Sequence, residues 1–212
     1  MGPTKFPVTV AIIALLGAAG VAAEQTDDRR AVSQMAVVTH DQTLRDALER
    51  IERGSAAWRA AMAALAATGR RAIVLTPEQV IVQDAGTGSV TVFDRSSVAE
   101  VSPVADQHGN VSSVLVVINV GRIQQLHDLR GSLPGEFHAD LDRVIAHEVY
   151  GHAVPYLAAG HLSGRCSDPE RGQPAAQSCA IQRENVVRAE LGLGRRTDAA
   201  LGGLILAGML RN

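Results

Sequence analysis

The hydrophobic pattern of the chain changes twice, from a helical period to short β-branched runs and back again. Residues 41–68 carry apolar side chains at helical spacing, and helical spacing returns over 137–159 and 176–191. Between them, residues 71–120 contain β-branched runs separated by turn-forming residues, which predicts a small, mostly antiparallel sheet. Helices, then a sheet, then further helices is the order of an α+β fold.

Two glycine-containing dipeptides mark boundaries inside these regions. Gly54-Ser55 interrupts the first helical stripe, so the pattern fits either two helices or one kinked helix. Gly109-Asn110 lies between two β-branched runs and predicts the turn of a hairpin.

The length and net charge of the chain limit the number of domains and the classes of partner that it can have. With 212 residues, of which 46% are hydrophobic, the chain is long enough for one domain with a core. Its formal net charge of -2 offers no basic excess for neutralising phosphates, so no nucleic-acid partner is expected. We predict a linker over 24–40 and a single domain over 41–212. The apolar tail 197–210 is too short to span a membrane and is expected to pack on the core.

The N-terminus has the pattern of a signal peptide. Lys5, the only lysine, precedes an apolar run over 8–16, and the small residues Val21 and Ala23 fit a signal-peptidase site. We therefore predict a signal peptide over 1–23 and an exported protein, periplasmic or secreted. The alternative is an uncleaved anchor, but the apolar run is shorter than the ~20 residues that a membrane-spanning helix needs. No stable membrane span is expected after cleavage.

Export decides how the cysteines are interpreted. Cys166 and Cys179 are the only two, and twelve residues separate them. In an oxidising compartment such a pair is most simply a disulfide that closes a loop, worth about 3 kcal/mol in the chain-entropy model. Neither a CxxC pair nor a flanking histidine supports the alternative of a metal site.

The segment HEVYGH carries the strongest chemical signal. In the zinc-binding motif HExxH, two histidines four residues apart share one helix face, and the glutamate beside the first acts as general base. Here His147 and His152 are five residues apart, with Glu148 beside the first. Five residues turn a regular helix about 140° past a full turn, so the two imidazoles would diverge. A π-bulge would realign them, and Gly151 supplies a permissive backbone directly before the second histidine.

A catalytic zinc site needs a third protein ligand. Glu184 is a candidate, because a helix over 176–191 packed antiparallel on the helix over 137–159 would point it at the two histidines. His161 and Glu190 are rivals for this position. The predicted disulfide would then brace the connection between the two helices.

The segment HEVYGH and the later segment RENVVRAELGLGRR together resemble those of gluzincin metallopeptidases. In these enzymes two histidines from one helix and a glutamate from a later helix bind zinc. HEVYGH is similar to the HExxGH motif of the dipeptidyl peptidases of the third type. The later segment is similar to small zincin domains of bacterial secreted toxins, often found with Rhs repeats, and the matching residues are Glu184-Asn185, Arg188, Leu191-Gly192-Leu193 and Arg195 or Arg196. The specific resemblance covers residues 140–196, and the match over 24–120 is architectural.

The resemblance implies a zincin-like fold and a zinc-dependent peptidase with a peptide or protein substrate. It makes His147, His152 and Glu184 the zinc ligands and Glu148 the general base. The candidates for the group that stabilises the oxyanion are Tyr150, Tyr156, His161 and Arg188. The remaining histidines have no motif context and are expected on the surface or satisfied in the core: His40, His108, His127 and His138.

Two other functions fit the same residues. An amidase acting on cell-wall peptides would use identical zinc chemistry. A non-catalytic exported domain would keep a zinc site for stability or bind a partner. A purely structural site, however, needs no carboxylate beside its first ligand and closes the fourth position with cysteine or histidine. Glu148 therefore favours catalysis.

Overall fold

The computed structural model describes residues 10–12, 36–84, 90–92, 96–131, 133, 136–164 and 175–196. Within them the chain forms an α+β fold, as the order of helical and β-branched segments predicts. The predicted cleavage site after Ala23, Cys166 and the apolar tail lie outside the described residues. Signal cleavage, the disulfide with Cys179 and the packing of the tail therefore stay predictions.

The first helical region forms two helices. Helix α1 spans Gln42–Gly54 and helix α2 spans Ala56–Ala66. Ser55 separates them, because its backbone is extended and its side chain accepts a hydrogen bond from the Trp58 amide at the start of α2. The break at Gly54-Ser55 therefore makes two helices and not one kinked helix.

The strands of the described residues are β1 (Val10–Ile12), β2 (Val37–Val38), β3 (Arg71–Leu75), β4 (Ile81–Asp84), β5 (Val90–Val92), β6 (Ala99–Ala105) and β7 (Val111–Ile118). The main sheet has the order β2-β3-β7-β6, and a small antiparallel sheet has the order β1-β4-β5. The predicted hairpin is confirmed, since β6 and β7 pair antiparallel across a turn in which Gly109 has a φ of 80°.

The main sheet is mixed and not mostly antiparallel as predicted. Strand β3 is parallel to both β2 and β7, whereas β6 and β7 are antiparallel. The cause is the path of the chain, which leaves β3 through β4 and β5 and returns through the β6–β7 hairpin. The second strand of that hairpin, and not the first, lies beside β3, so the two run in the same direction.

The last residues of the segment over 24–40, predicted as a linker, pair with the main sheet. Ala36 is buried, and its carbonyl accepts a hydrogen bond from the Ala72 amide at 2.8 Å. Val37 and Val38 then continue the pairing as β2. One edge of the main sheet is therefore formed by residues that lie just before α1.

Three further helices complete the described fold. Helix α3 spans Val120–Leu129, helix α4 covers 136–159, and helix α5 spans Ala175–Glu190. These positions confirm the helices predicted over 137–159 and 176–191. No helix of the described residues is both long and apolar enough to cross a membrane.

The core lies between the main sheet and the helices. Alternate residues of β7 face it, and the intervening ones face a smaller apolar cluster on the opposite side of the sheet. Helices α1, α2, α4 and α5 contribute buried apolar side chains to this core, among them Leu44, Ile51, Trp58, Leu141, Ile145, Val149 and Val187. This packing fixes α4 and α5 against each other and so determines which side chains meet between them.

Candidate metal centre

The two histidines of the motif lie on a π-helical segment. Helix α4 is π-helical over Ala146–Ala153, and the Val154 amide bonds to the Val149 carbonyl, five residues back. Because this period brings residues five apart onto one face, the rings of His147 and His152 lie together, with centroids 4.8 Å apart. The distortion predicted from the spacing is confirmed, although it extends over eight residues and is not a single bulge.

The separation of the two imidazoles suits one metal ion. Nε2 of His147 lies 3.3 Å from Nε2 of His152. Two nitrogens bound to a tetrahedral zinc ion at about 2.05 Å would be about 3.3–3.4 Å apart. The two Nε2 atoms therefore lie as far apart as two nitrogen ligands of one zinc ion would.

Glu184 reaches the same place from α5. Its side chain is only 2% exposed, and its Oε2 lies 3.0 Å from Nδ1 of His147. The antiparallel packing of α5 on the π-helical segment produces this contact. The structure thus brings together the three residues for which metal ligation was predicted, His147, His152 and Glu184.

Two arginines neutralise the buried Glu184 carboxylate. Arg188 Nη1 donates to Oε1 at 2.6 Å, and Arg196 Nη1 lies 3.5 Å from Oε2. Burial acts to raise the pKa of Glu184, but the hydrogen bonds and charges of His147 and Arg188 outweigh it, and the pKa is lowered. Arg188 is therefore a partner of Glu184 in the described structure, where sequence reasoning had named it for the oxyanion.

The two imidazoles have opposite shifts in pKa. Burial acts to lower the pKa of His147, but its hydrogen bond with Glu184 and the charges of Glu148 and Glu184 outweigh burial and raise it. Burial, together with the charge of His147, lowers the pKa of His152 to about 4. His152 is therefore neutral at neutral pH, which is the form of a histidine that binds a metal.

Glu148 lies next to this pair on the half-buried side of the helix. Burial raises the pKa of its carboxyl group, the charge of Glu184 adds to the rise, and the charges of His147 and Arg196 oppose it. Within the described part of the chain, no hydrogen bond reaches the Glu148 carboxyl group. A carboxyl group with a raised pKa and open oxygens is suited to proton transfer.

The His147 ring faces its two neighbours with different nitrogens, Nδ1 toward Glu184 and Nε2 toward His152. In this arrangement, no group of three or more His, Cys, Asp or Glu side chains in the described ranges is set to hold a metal ion. In an imidazole ring, Cε1 lies between the two nitrogens, and a half-turn about Cβ–Cγ exchanges Cε1 with Nε2. This rotation would turn Nε2 of His147 toward Glu184 as well as toward His152, and the 3.3 Å between the two Nε2 atoms belongs to the ring before rotation.

The rivals for the third ligand lie elsewhere. His161 sits at the β6–β7 turn, where its Nε2 is 3.1 Å from the His108 carbonyl oxygen. Glu190 accepts hydrogen bonds from the Ser55 hydroxyl and from the Ala57 amide, at the start of α2. Neither residue has a contact with the histidine pair among those of the described residues.

The tyrosine candidates for oxyanion stabilisation also have other surroundings. The Tyr150 ring stacks on Trp58 with centroids 6.3 Å apart, and the Arg183 guanidinium lies 5.6 Å from the Tyr150 centroid. Tyr156 packs partly buried against the core. The structure therefore singles out neither tyrosine for this role.

The histidines without motif context occupy the places predicted for them. His127 is buried, with Nδ1 3.2 Å from an Asp140 carboxylate oxygen. His40, His108 and His138 are exposed. None of them belongs to the candidate centre.

Gly151 allows α4 and α5 to approach closely. A Cβ atom at this position would lie 3.0 Å from the Ala180 carbonyl oxygen and 3.1 Å from the Ala180 Cβ. The sequence had suggested this glycine for backbone freedom, yet it is not among the glycines with positive φ in the described residues. The contact with the facing helix is a separate reason for glycine at this position.

We expect Gly151→Ala to lower the free energy of unfolding by about 1–3 kcal/mol, because the methyl group must displace helix backbone. The shift of α5 would also move Glu184 away from His147 and weaken metal binding. Urea unfolding measures the first effect and a zinc titration the second. The matched control is Gly121→Ala in α3, where the nearest atom is 3.8 Å away. Equal stability of Gly151→Ala and the unaltered protein would contradict the packing role.

Comparison with known proteins returns no match of any kind: no family model, no curated protein and no solved structure is significantly similar to this chain.

Proposed function

We propose that the chain is an exported zinc-dependent metallopeptidase of the gluzincin type, with a zincin-like fold. The observation that carries the proposal is the π-helix, which turns histidines five residues apart into nitrogen donors 3.3 Å apart beside a buried carboxylate. Two imidazoles and one carboxylate form a known catalytic zinc set that leaves a fourth position open. His147, His152 and Glu184 would hold the ion.

The residues of the chain supply the proton transfer. A bound zinc ion would polarise the scissile carbonyl and activate a water molecule. Glu148 takes a proton from the attacking water and passes it to the leaving amine, so that the carboxylate is regenerated at the end of the cycle. Burial raises the pKa of this carboxyl group, which makes the carboxylate a stronger base toward the proton of the water.

The N-terminal pattern supports export of this activity, and a peptide or protein is the proposed substrate. The signal peptide over 1–23 and the disulfide between Cys166 and Cys179 belong to the same proposal, because export delivers the chain to an oxidising compartment and the disulfide needs one. A non-catalytic zinc domain is the outcome to be distinguished, and it would bind zinc without turnover.

The test is the zinc content of the purified protein, measured by elemental mass spectrometry after zinc supplementation and dialysis. We expect about one zinc per chain in the unaltered protein, and loss of zinc in His152→Ala and in Glu184→Ala. His138→Ala, an exposed histidine on the same helix, should keep the metal. Folded protein without zinc would reject the proposal, and zinc retained in Glu184→Ala would remove Glu184 from the ligand set.

A further inference from the structure

We propose that Asn185 and Arg196 form a clasp that positions Glu184 at the metal centre, so that the segment after α5 belongs to the site. The clasp consists of two hydrogen bonds: the Arg196 amide donates to Asn185 Oδ1 at 2.6 Å, and Asn185 Nδ2 donates to the Arg196 carbonyl at 2.8 Å. Asn185 follows Glu184 directly, so the residue that anchors the returning chain is adjacent to the residue that it positions. The inference rests on the proposed function.

The path of the chain after α5 makes the clasp reachable. Gly192 and Gly194 have φ values of 69° and 67°, and the turn they form sends the chain back along the helix. The Leu193 amide donates to the Arg188 carbonyl at 2.9 Å, and Arg188 Nε donates to the Gly194 carbonyl at 2.9 Å. Arg188 therefore holds the turn with one nitrogen and Glu184 with another.

The Arg196 side chain is placed by its backbone more than by its own hydrogen bonds. It is 13% exposed, its Nη1 is a long 3.5 Å from Glu184 Oε2, and its buried Nε has no hydrogen-bond partner in the described part of the chain. A buried donor without a partner is costly. The two Asn185 bonds hold the guanidinium there in spite of that cost, with its charge beside the carboxylate.

A carboxylate held on both oxygens has less freedom to turn away from His147. Groups that orient metal ligands from outside the ligand set are typically worth about 10–100-fold in metal affinity. The alternative is a purely structural role, in which the clasp closes the end of α5 and contributes only to stability. The two roles differ, because only the first changes the contact between Glu184 and His147.

The experiment compares zinc affinity, the His147 Nδ1–H signal in proton–nitrogen spectra of the metal-free protein, and thermal unfolding. Asn185→Ala removes both bonds without altering charge. We expect zinc affinity to fall about 10–100-fold and the Nδ1–H signal to be lost. Arg196→Ala should do the same and Arg196→Lys should restore part of the affinity. Arg195→Ala, which removes an equal charge from an exposed neighbour, should behave as the unaltered protein.

The outcomes separate the clasp from the function on which it rests. A lower unfolding temperature with unchanged zinc affinity and an unchanged His147 signal would overturn the clasp and leave the peptidase proposal standing. An unaltered protein that binds no zinc, while Asn185→Ala still loses the signal, would reject the peptidase proposal and leave the positioning of Glu184 in place. Loss of affinity in Arg195→Ala to the same extent would also overturn the clasp, because the effect would then be general charge.

Discussion

Replacing Asp140 with alanine is expected to lower the free energy of unfolding by about 1–3 kcal/mol, because it leaves two partly buried arginines and the buried His127 without their hydrogen-bond acceptor. Asp140 is 3% exposed. One of its carboxylate oxygens contacts Arg143 Nη1 at 2.8 Å, and the other contacts both Arg130 and His127. These contacts join the end of α3 to the first turns of α4. The loss should therefore exceed that of an ordinary surface ion pair, which is worth about 0–1 kcal/mol.

Urea unfolding followed by circular dichroism measures this change. The matched control is Asp128→Ala, which removes an exposed aspartate of α3 whose side chain bonds only to Gln124 in the described structure. We expect the control to change stability by less than about 0.5 kcal/mol. A second variant, Asp140→Asn, keeps the shape and removes the charge, so a similar loss in it would assign the effect to charge and not to a cavity. Asp140→Ala at control level would show that the arginines find other partners.

The elements of the fold follow from local pattern, whereas part of the pairing does not. Helical spacing located α4 and α5, and the break at Ser55 and the turn at Gly109 lie where the sequence places them. The parallel pairing of β3 with β7 was not predictable in the same way. It joins strands separated by more than thirty residues of chain, and no local feature of either strand specifies a non-consecutive neighbour.

The candidate site likewise has features that could be predicted from the sequence and features that could not. The five-residue spacing of His147 and His152 predicted a π distortion, because no regular helix could align them. The resemblance included Arg195 or Arg196, but no spacing predicted the contact of Arg196 with Glu184, since that contact depends on a turn that brings residue 196 back to residue 184. The close contact of Gly151 with Ala180 could not be predicted from the sequence, because the helix that Gly151 faces becomes known only when α5 is packed.

We expect Glu148→Gln to lower the peptidase rate about 10²–10⁴-fold while the zinc content stays unchanged. Glutamine has nearly the size of glutamate and preserves packing in the half-buried site, but its amide accepts no proton from the attacking water. The side chains proposed as zinc ligands, those of His147, His152 and Glu184, are left intact. The loss should therefore fall on kcat and not on metal binding or folding.

A screen with a mixed peptide library, read out by mass spectrometry, would first identify a cleaved substrate, and the rates of the two proteins would then be compared on it. Glu52→Gln, an exposed glutamate on α1, controls for the chemical change itself. Three readings are informative together. Zinc bound, activity present and activity lost only in Glu148→Gln would establish the general base. Zinc bound with equal cleavage in both proteins would trace the cleavage to a contaminant or to another group. Zinc bound with no cleavage of any library member would favour the non-catalytic domain. Glu148 would then take part in no proton transfer.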